Sequence, residues 1–185
     1  MTPNVLSIAG VDPSGGAGIL ADLKAFSALG AYGTGVVTAL TAQNTCRVDA
    51  VHLVPPGFVA AQIDTLLADV RVDAVKIGML GSKALVEAVA GRLAAHGVRR
   101  IVLDPVMVAK SGDRLLAADA VDALRGLLVP MASVLTPNLP EAADLLAEAE
   151  PAGPAAMRAM ARRLRGLGPR GVDDSDPFQE TPCRP

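Results

Sequence analysis

Short apolar runs alternate with helical stripes along most of this chain, and few folds accommodate that alternation. Residues 5–9, 35–40, 51–54, 74–77, 100–103 and 133–135 read as strands. Residues 17–29, 58–68, 83–95, 119–128, 141–148 and 155–167 read as helices. In the first of these, Ile19, Leu20, Leu23, Phe26 and Leu29 fall on one face; in the second, Val59, Ile63, Leu66 and Leu67 do. Ser82 is placed to cap the third helix, and Gly30 and Gly97 to stop the first and third. Strands separated by helices imply βαβ units, hence an α/β fold: three layers, α/β/α, around a mostly parallel sheet. In such sheets ligands bind beyond the carboxyl ends of the strands. The polar turns of this chain gather there, after Ala9, Leu40, Ile77, Leu103 and Leu135.

The pattern fades near the end. From Pro169 onward, proline and aspartate dominate and apolar residues are few, so residues 169–185 read as a disordered or divergent tail behind a single domain, 1–168. A sheet entering its last helix would ordinarily continue into another strand, and none is expected here.

Composition removes several function classes. The 185 residues are 51% hydrophobic but only 2% aromatic, so Ala, Leu and Val must fill the core. Net charge is −2, which argues against nucleic acid or an anionic membrane as the main partner. The 2 cysteines, Cys46 and Cys183, stand far apart without a nearby ligand partner, which excludes a zinc ribbon or disulfide scaffold and suits the reducing cytoplasm. No apolar run reaches the ~18 residues of a membrane span, and the first residues lack the basic stretch of a signal peptide.

Several residues carry types suited to chemistry. The glycine-rich turn at 10–18 opens a helix, where backbone amides can face an anion. It has neither the GxGxxG spacing nor a following Gly-Lys-Ser/Thr, so it reads equally as a tight βα connection. Asp104, ending an apolar strand before Pro105, suits a divalent cation or a hydroxyl, or else a turn. Residues 106–112 show no helical stripe and include Lys110, as an ordered loop over a site would. Asn138 and Glu141, three apart, suit a capping pair or a water-mediated Mg²⁺ contact. Gln43 and Asn44 follow a strand, and a carboxamide offers a heterocycle edge both donor and acceptor. Met79 could pack on a flat ligand or simply fill core. Lys76, inside a strand, is either functional or an edge residue. His52 and His96 stand alone and read as non-catalytic, and the arginines at 158–165 as a solvated helix face.

Together these pieces resemble a known family. Ala9-Gly10-Val11-Asp12-Pro13-Ser14-Gly15-Gly16-Ala17-Gly18-Ile19-Leu20-Ala21-Asp22-Leu23-Lys24 is similar to the opening of the hydroxymethylpyrimidine/phosphomethylpyrimidine kinases of thiamine synthesis. So are Leu40-Thr41-Ala42-Gln43-Asn44-Thr45, Val75-Lys76-Ile77-Gly78-Met79-Leu80, the stretch from Asp104-Pro105-Val106-Met107 to Lys110-Ser111-Gly112, and Thr136-Pro137-Asn138-Leu139-Pro140-Glu141-Ala142. The resemblance covers about residues 4–168. It implies a ribokinase-like fold and transfer of the ATP γ-phosphoryl group to the pyrimidine's hydroxymethyl group or its monophosphate.

On the matching positions, the resemblance implies that Gln43 reads the aminopyrimidine, while Gly10, Asp12, Met79 and Val106 shape its pocket. Asp104, Asn138 and Glu141 serve the Mg²⁺–phosphate region, with Asp104 and Glu141 nearest the metal, and Lys110 touches phosphate. A homodimer is implied as well. The family continues with a Lys-Gly-Gly-His block and a Gly-Thr-Gly-Cys anion-hole turn. This chain has neither, so no catalytic residue is assigned, and the similarity ends near Gly168. The alternatives are a non-catalytic pyrimidine-binding remnant and a pyridoxal kinase-like enzyme. An unrelated Rossmann-like nucleotide protein is disfavoured by the missing fingerprint.

Overall fold

The computed structural model describes residues 1–107, 116 and 118–173. In chain order the elements are β1 (Asn4–Val11), α1 (Gly18–Ala28), β2 (Tyr32–Gln43), β3 (Val48–Leu53), α2 (Pro56–Asp69), β4 (Ala74–Ile77) and α3 (Lys83–Ala95). There follow β5 (Ile101–Leu103), α4 (Ala118–Ala123), β6 (Val134–Leu135), α5 (Leu139–Leu146), α6 (Pro154–Arg165) and β7 (Gly171–Val172). They build one 7-stranded sheet in the order β3-β2-β1-β4-β5-β6-β7. All pairings are parallel except β3, which returns antiparallel along β2. The α/β fold expected from the sequence is the fold observed.

Side-chain alternation gives the sheet two unlike faces. Leu6 and Ile8 of β1, Val75 and Ile77 of β4, Ile101 and Leu103 of β5 and Leu135 of β6 enter the buried core. There they meet Val59 and Ile63 of α2 and Leu85, Val86, Val89 and Leu93 of α3. On the other face a register row runs Gly35, Ser7, Lys76, Val102, Val134 from β2 across to β6. Helix α1 covers the β1–β2 end of that face. It lies close because β2 presents glycines: a Cβ on Gly33 would stand 2.6 Å from Leu23 Cδ2, and one on Gly35 3.0 Å from Ile19 Cγ2. Toward β6 the row opens, and Val134 is 38% exposed.

Because β3 pairs with β2 only from Ala39 onward, the earlier part of that edge needs another partner. Gln62 of α2 supplies it. Its Oε1 accepts from Val37 N at 3.0 Å, and its Nε2 donates to Val37 O at 3.1 Å. The Ser82 cap of α3 forms as expected, Ser82 Oγ accepting from Leu85 N at 3.3 Å. His96 is a surface bridge between α3 and α2, its Nε2 lying 2.8 Å from Asp64 Oδ1.

Two sequence expectations are corrected. The helix read over 119–128 does not stay α-helical: α4 ends at Ala123, Leu124–Leu128 winds as a π turn, and Val129–Met131 as a 3₁₀ turn. Pro130 has no N–H to continue an α ladder. Arg125 is drawn aside as well, with its Nε donating to Leu145 O at 2.6 Å and its Nη2 to Asp144 O at 3.0 Å. That guanidinium satisfies the carbonyls at the end of α5. The second correction concerns the absent last strand: Gly171 and Val172 pair in parallel with Val134 and Leu135 as β7. Two residues of strand are too short for any periodicity to register. The remainder of the expected tail, with Cys183, lies outside the described residues.

Two left-handed glycines separate backbone strain from crowding. Gly30 has φ 76° and nothing within 4 Å of a built Cβ, whereas a Cβ on Gly18, φ 57°, would run into the Gly10 carbonyl oxygen. Gly30→Ala is expected to cost about 1 kcal/mol, the left-handed penalty alone. Gly18→Ala is expected to cost clearly more. Urea midpoints at constant slope test this, and equal losses would mean that the contact with Gly10 is slack.

Candidate functional site

The parallel ladder runs one residue past the strands, and that extra step lines up a rim. Gly78 N donates to Ile8 O at 2.9 Å, Asp104 N to Ile77 O at 2.9 Å, Thr136 N to Leu103 O at 3.0 Å and Asp173 N to Leu135 O at 2.9 Å. The first residue beyond each of β4, β5, β6 and β7 is therefore held in register at the carboxyl edge. From β1 the chain departs toward β2, and from β4 toward β5, so the loops after these adjacent strands part and open a crevice.

The walls of the crevice come from β1, β2 and β4. Gly10 is buried, and the space its missing side chain leaves is bounded by Met79 Sδ at 3.6 Å and Ala39 Cβ at 3.7 Å. Thr38 Oγ1 donates to Met79 O at 2.7 Å and fixes the turn that carries Met79. Asp12, 4% exposed, holds the glycine-rich turn together, accepting from Ser14 N and Ser14 Oγ, each at 2.8 Å, and from Gly16 N at 3.2 Å. Ala17 then opens α1 with no side-chain cap, so no side chain competes for the first-turn amides. Gln43, half-buried at the end of β2, has its Oε1 3.2 Å from Thr41 Oγ1. Its Nε2 has no partner among the described residues.

On the β5–β6 side the strand ends are tied to each other. Asn138 Oδ1 accepts from Glu141 N at 2.9 Å while Glu141 Oε2 accepts from Asn138 N at 3.0 Å, completing a capping box on α5. Glu141 Oε1 also accepts from Met107 N at 3.3 Å, which pins the loop after β5 to the start of α5. Val106 belongs to that loop, its N donating to Asp104 O at 2.9 Å. Asp104 meets Lys76 Nζ at 3.4 Å. Lys110 lies outside the described residues.

Burial shapes the charges here. It pushes Glu141 from 4.5 up to about 7, against the two backbone amides that favour its ionised form. It also raises Asp104 above the ordinary carboxylate value, with the Lys76 ammonium opposing.

No group of three or more His, Cys, Asp or Glu able to cage a metal exists among the described residues. A Mg²⁺ ion usually keeps several waters and takes one or two carboxylates together with substrate phosphates. Asp104, with one oxygen uncommitted among the described residues, and Glu141 near it suit a cation that arrives with phosphates.

Gln43, Gly10, Asp12, Met79, Val106, Asp104 and Asn138 thus lie on loops or strand ends of one edge, and Glu141 in the first turn of α5 beside them. The sequence reading passed over Ser7, Asp22, Thr38 and Thr41, whose side chains brace them, and Asp173, which it placed in the tail. The alternation Lys76–Gly78 next to a strand end was the one legible signal for this bracing. The pairing of Ser7 with Lys76 is non-local and left no local mark.

Residues 12–172 match the family model described as phosphomethylpyrimidine kinase. The chain is 57% identical over 169 residues to the hydroxymethylpyrimidine/phosphomethylpyrimidine kinase of Salmonella typhimurium, covering 91% of this chain and 64% of that protein. It therefore spans less than two thirds of that relative's length. The crystal structure of phosphomethylpyrimidine kinase from Clostridium difficile superposes with a TM-score of 0.86 at 40% identity, over 92% of this chain and 74% of the other. A Bacillus subtilis pyridoxal kinase in an ADP complex gives 0.85 at 35% identity, over 93% and 65%.

The raised Glu141 value has a stability consequence of definite sign. The folded state holds this proton more tightly than the unfolded chain, so the contribution is fully present below about 4.5 and is lost as pH rises through about 7. The loss is about 3 kcal/mol. Glu141→Gln is expected to lower stability at every pH, because an amide nitrogen replaces one acceptor, but to flatten the slope in that window. Urea melts across it measure the slope, and a wild-type slope retained by the variant would assign the titration elsewhere.

Proposed function

This chain belongs to the phosphomethylpyrimidine kinase family, and on that premise we propose that it transfers the γ-phosphoryl group of ATP to 4-amino-5-hydroxymethyl-2-methylpyrimidine and its monophosphate. The observation that carries this reading is the shared rim: Gln43 ends β2, and Met79 and Asp104 follow β4 and β5 of the same parallel array, around the crevice where the loops after β1 and β4 part.

In this reading the Gln43 amide, whose Nε2 has no partner among the described residues, meets the polar edge of the aminopyrimidine, and Met79 and Val106 lie against its ring. Gly10 leaves the space that the ring enters. Asp12 keeps the glycine-rich turn in shape. The uncapped start of α1 turns its amides toward phosphate oxygens. In the transfer, the hydroxymethyl or phosphate oxygen bonds to the γ-phosphorus, the bridging bond to ADP breaks, and a hydroxyl acceptor gives up its proton. Such transfer depends chiefly on placement and charge neutralisation. Asp104, Asn138 and Glu141 would hold Mg²⁺ directly or through water, and the ion would supply charge neutralisation on the phosphates. The reading includes a cytoplasmic location, where ATP is at hand; no helix among the described residues is long and apolar enough to cross a membrane.

A second reading is pyrimidine binding without transfer, since the residues placed at the rim recognise the ring or hold the metal and none of them is assigned to take the acceptor's proton. The two readings separate in one experiment on the purified chain. Calorimetry with the pyrimidine reports binding, and ADP release with Mg²⁺·ATP reports transfer. Transfer is expected. Binding without transfer would support the second reading, and a folded chain that binds no pyrimidine would sink both. Gln43→Ala is expected to weaken pyrimidine binding by roughly 1–3 kcal/mol, and an unchanged constant would remove Gln43 from the site.

The reading includes a homodimer. The β2–β3 ribbon supports it: Val51 and Leu53, 39% and 37% exposed, share one face of the ribbon, and Leu40, 51% exposed, lies on the other. Such side chains crowded on one ribbon suit an interface. Sedimentation is expected to give a dimer that Val51→Asp splits. A monomeric wild type, or a variant that remains dimeric, would place the contact elsewhere or remove it.

A further inference from the structure

Lys76 is not an edge residue: β4 lies inside the sheet between β1 and β5. A lysine there is costly unless its ammonium is paired. Its side chain is 21% exposed, and Nζ stands 3.3 Å from Asp22 Oδ2 and 3.4 Å from Asp104 Oδ2. The two carboxylates have different settings. Asp22, on α1, is the deeper, and its Oδ2 also accepts from Ser7 Oγ at 2.6 Å. Asp104 is at the rim, with a side chain 34% exposed. The ammonium therefore joins a braced, half-buried anchor to a more exposed rim carboxylate, and it takes one oxygen of that carboxylate. Oδ1 of Asp104 has no partner among the described residues.

Gly78 is part of the same arrangement. It follows Lys76 by two residues on the same side of the strand, and a Cβ there would stand 3.1 Å from Lys76 Nζ and 3.2 Å from Ala9 Cβ. Any larger residue would press on the ammonium where it reaches the rim. If Lys76 served only to neutralise Asp22, the pair could close beneath the rim, and neither the reach to Asp104 nor the vacant side of Gly78 would be needed.

We propose that Lys76 is a positioning residue for Asp104: anchored by Asp22 and Ser7 and given room by Gly78, its ammonium holds Oδ2 of Asp104 and presents the other oxygen to the metal–triphosphate end of the crevice. This rests on the kinase reading above. It assigns Lys76 no contact with the pyrimidine.

The test uses the full chain and two probes, Mn²⁺·ATP followed by the Mn²⁺ resonance signal, and the hydroxymethylpyrimidine followed by calorimetry. Lys76→Met is expected to weaken Mn²⁺·ATP by about tenfold, the loss of one charged hydrogen bond. Lys76→Arg is expected to restore most of that affinity, and pyrimidine affinity should stay within about twofold in both. Should Lys76→Met not fold, Gly78→Ala decides: it keeps the charge and crowds it, and an intermediate loss for Mn²⁺·ATP alone is expected. Unchanged Mn²⁺·ATP binding in the folded variant would overturn the proposal, as would equal weakening of both probes. A wild type that binds pyrimidine but no Mn²⁺·ATP would fail the kinase reading itself, and this proposal with it.

Discussion

Backbone amides from the loops after β4, β5 and β6 each reach back to the carbonyl of the preceding strand in the sheet, at Ile8, Ile77 and Leu103. These bonds are ordinary ladder bonds carried one residue beyond the strands. They decide where Gly78, Asp104 and Thr136 stand, because a residue whose amide is pinned and whose predecessor is buried has little freedom left. Ile77 and Leu103, fully buried, fix the depth, and the amide fixes the height. The placement of polar groups at the rim is therefore a consequence of core packing on the opposite face.

A second constraint is charge. Asp12, Asp22, Asp104 and Glu141 all lie at or just under the rim, and each is met differently. Asp12 is enclosed by the amides and hydroxyl of its own turn. Glu141 takes amides from Asn138 and Met107. Asp22 receives a hydroxyl and an ammonium. Among the described residues Asp104 has only its share of that ammonium, and burial outweighs it. Among them the least satisfied carboxylate is thus the one at the crevice, which in the proposed reading faces an external partner.

Long elements with clear periods were legible from sequence, and the reasons are local. β4 and α3 came out at their observed bounds because branched residues, a capping serine and a stopping glycine all agree there. Elements set by distant partners were not legible. The π turn follows from Arg125 reaching the end of α5, and β7 exists through pairing with β6. For the site, Gln43, Met79 and Asp104 were marked by residue type at strand ends. The bracing by Ser7, Asp22, Thr38 and Thr41 depends on register and helix docking, which a single sequence does not encode in any short window. Asn138 and Glu141 show the opposite case: either role fitted the spacing, and the capping box now occupies one lone pair on Glu141 Oε2 while Met107 N occupies one on Oε1, without exhausting either oxygen.

The two halves of the crevice rest on unequal support. The half made by β1, β2 and β4 has the buried core on one face and α1 against glycines on the other, so Gly10, Met79 and Gln43 sit on a doubly covered frame. Among the described residues the row on the α1 side runs on through the exposed Val134 to Gly171 of β7 with no helix over it, while Leu135 beside Val134 is fully buried. A frame packed on one face resists displacement less than one packed on both. In the proposed reading the ring-recognising groups belong to the first half and the phosphate-facing carboxylates to the second. Lys76 spans them, its backbone in β4, its anchor on α1 and its reach toward β5. The ammonium then does more than balance charge: it ties the orientation of Asp104 to the rigid half of the sheet, where the ladder alone would leave the carboxylate free to turn.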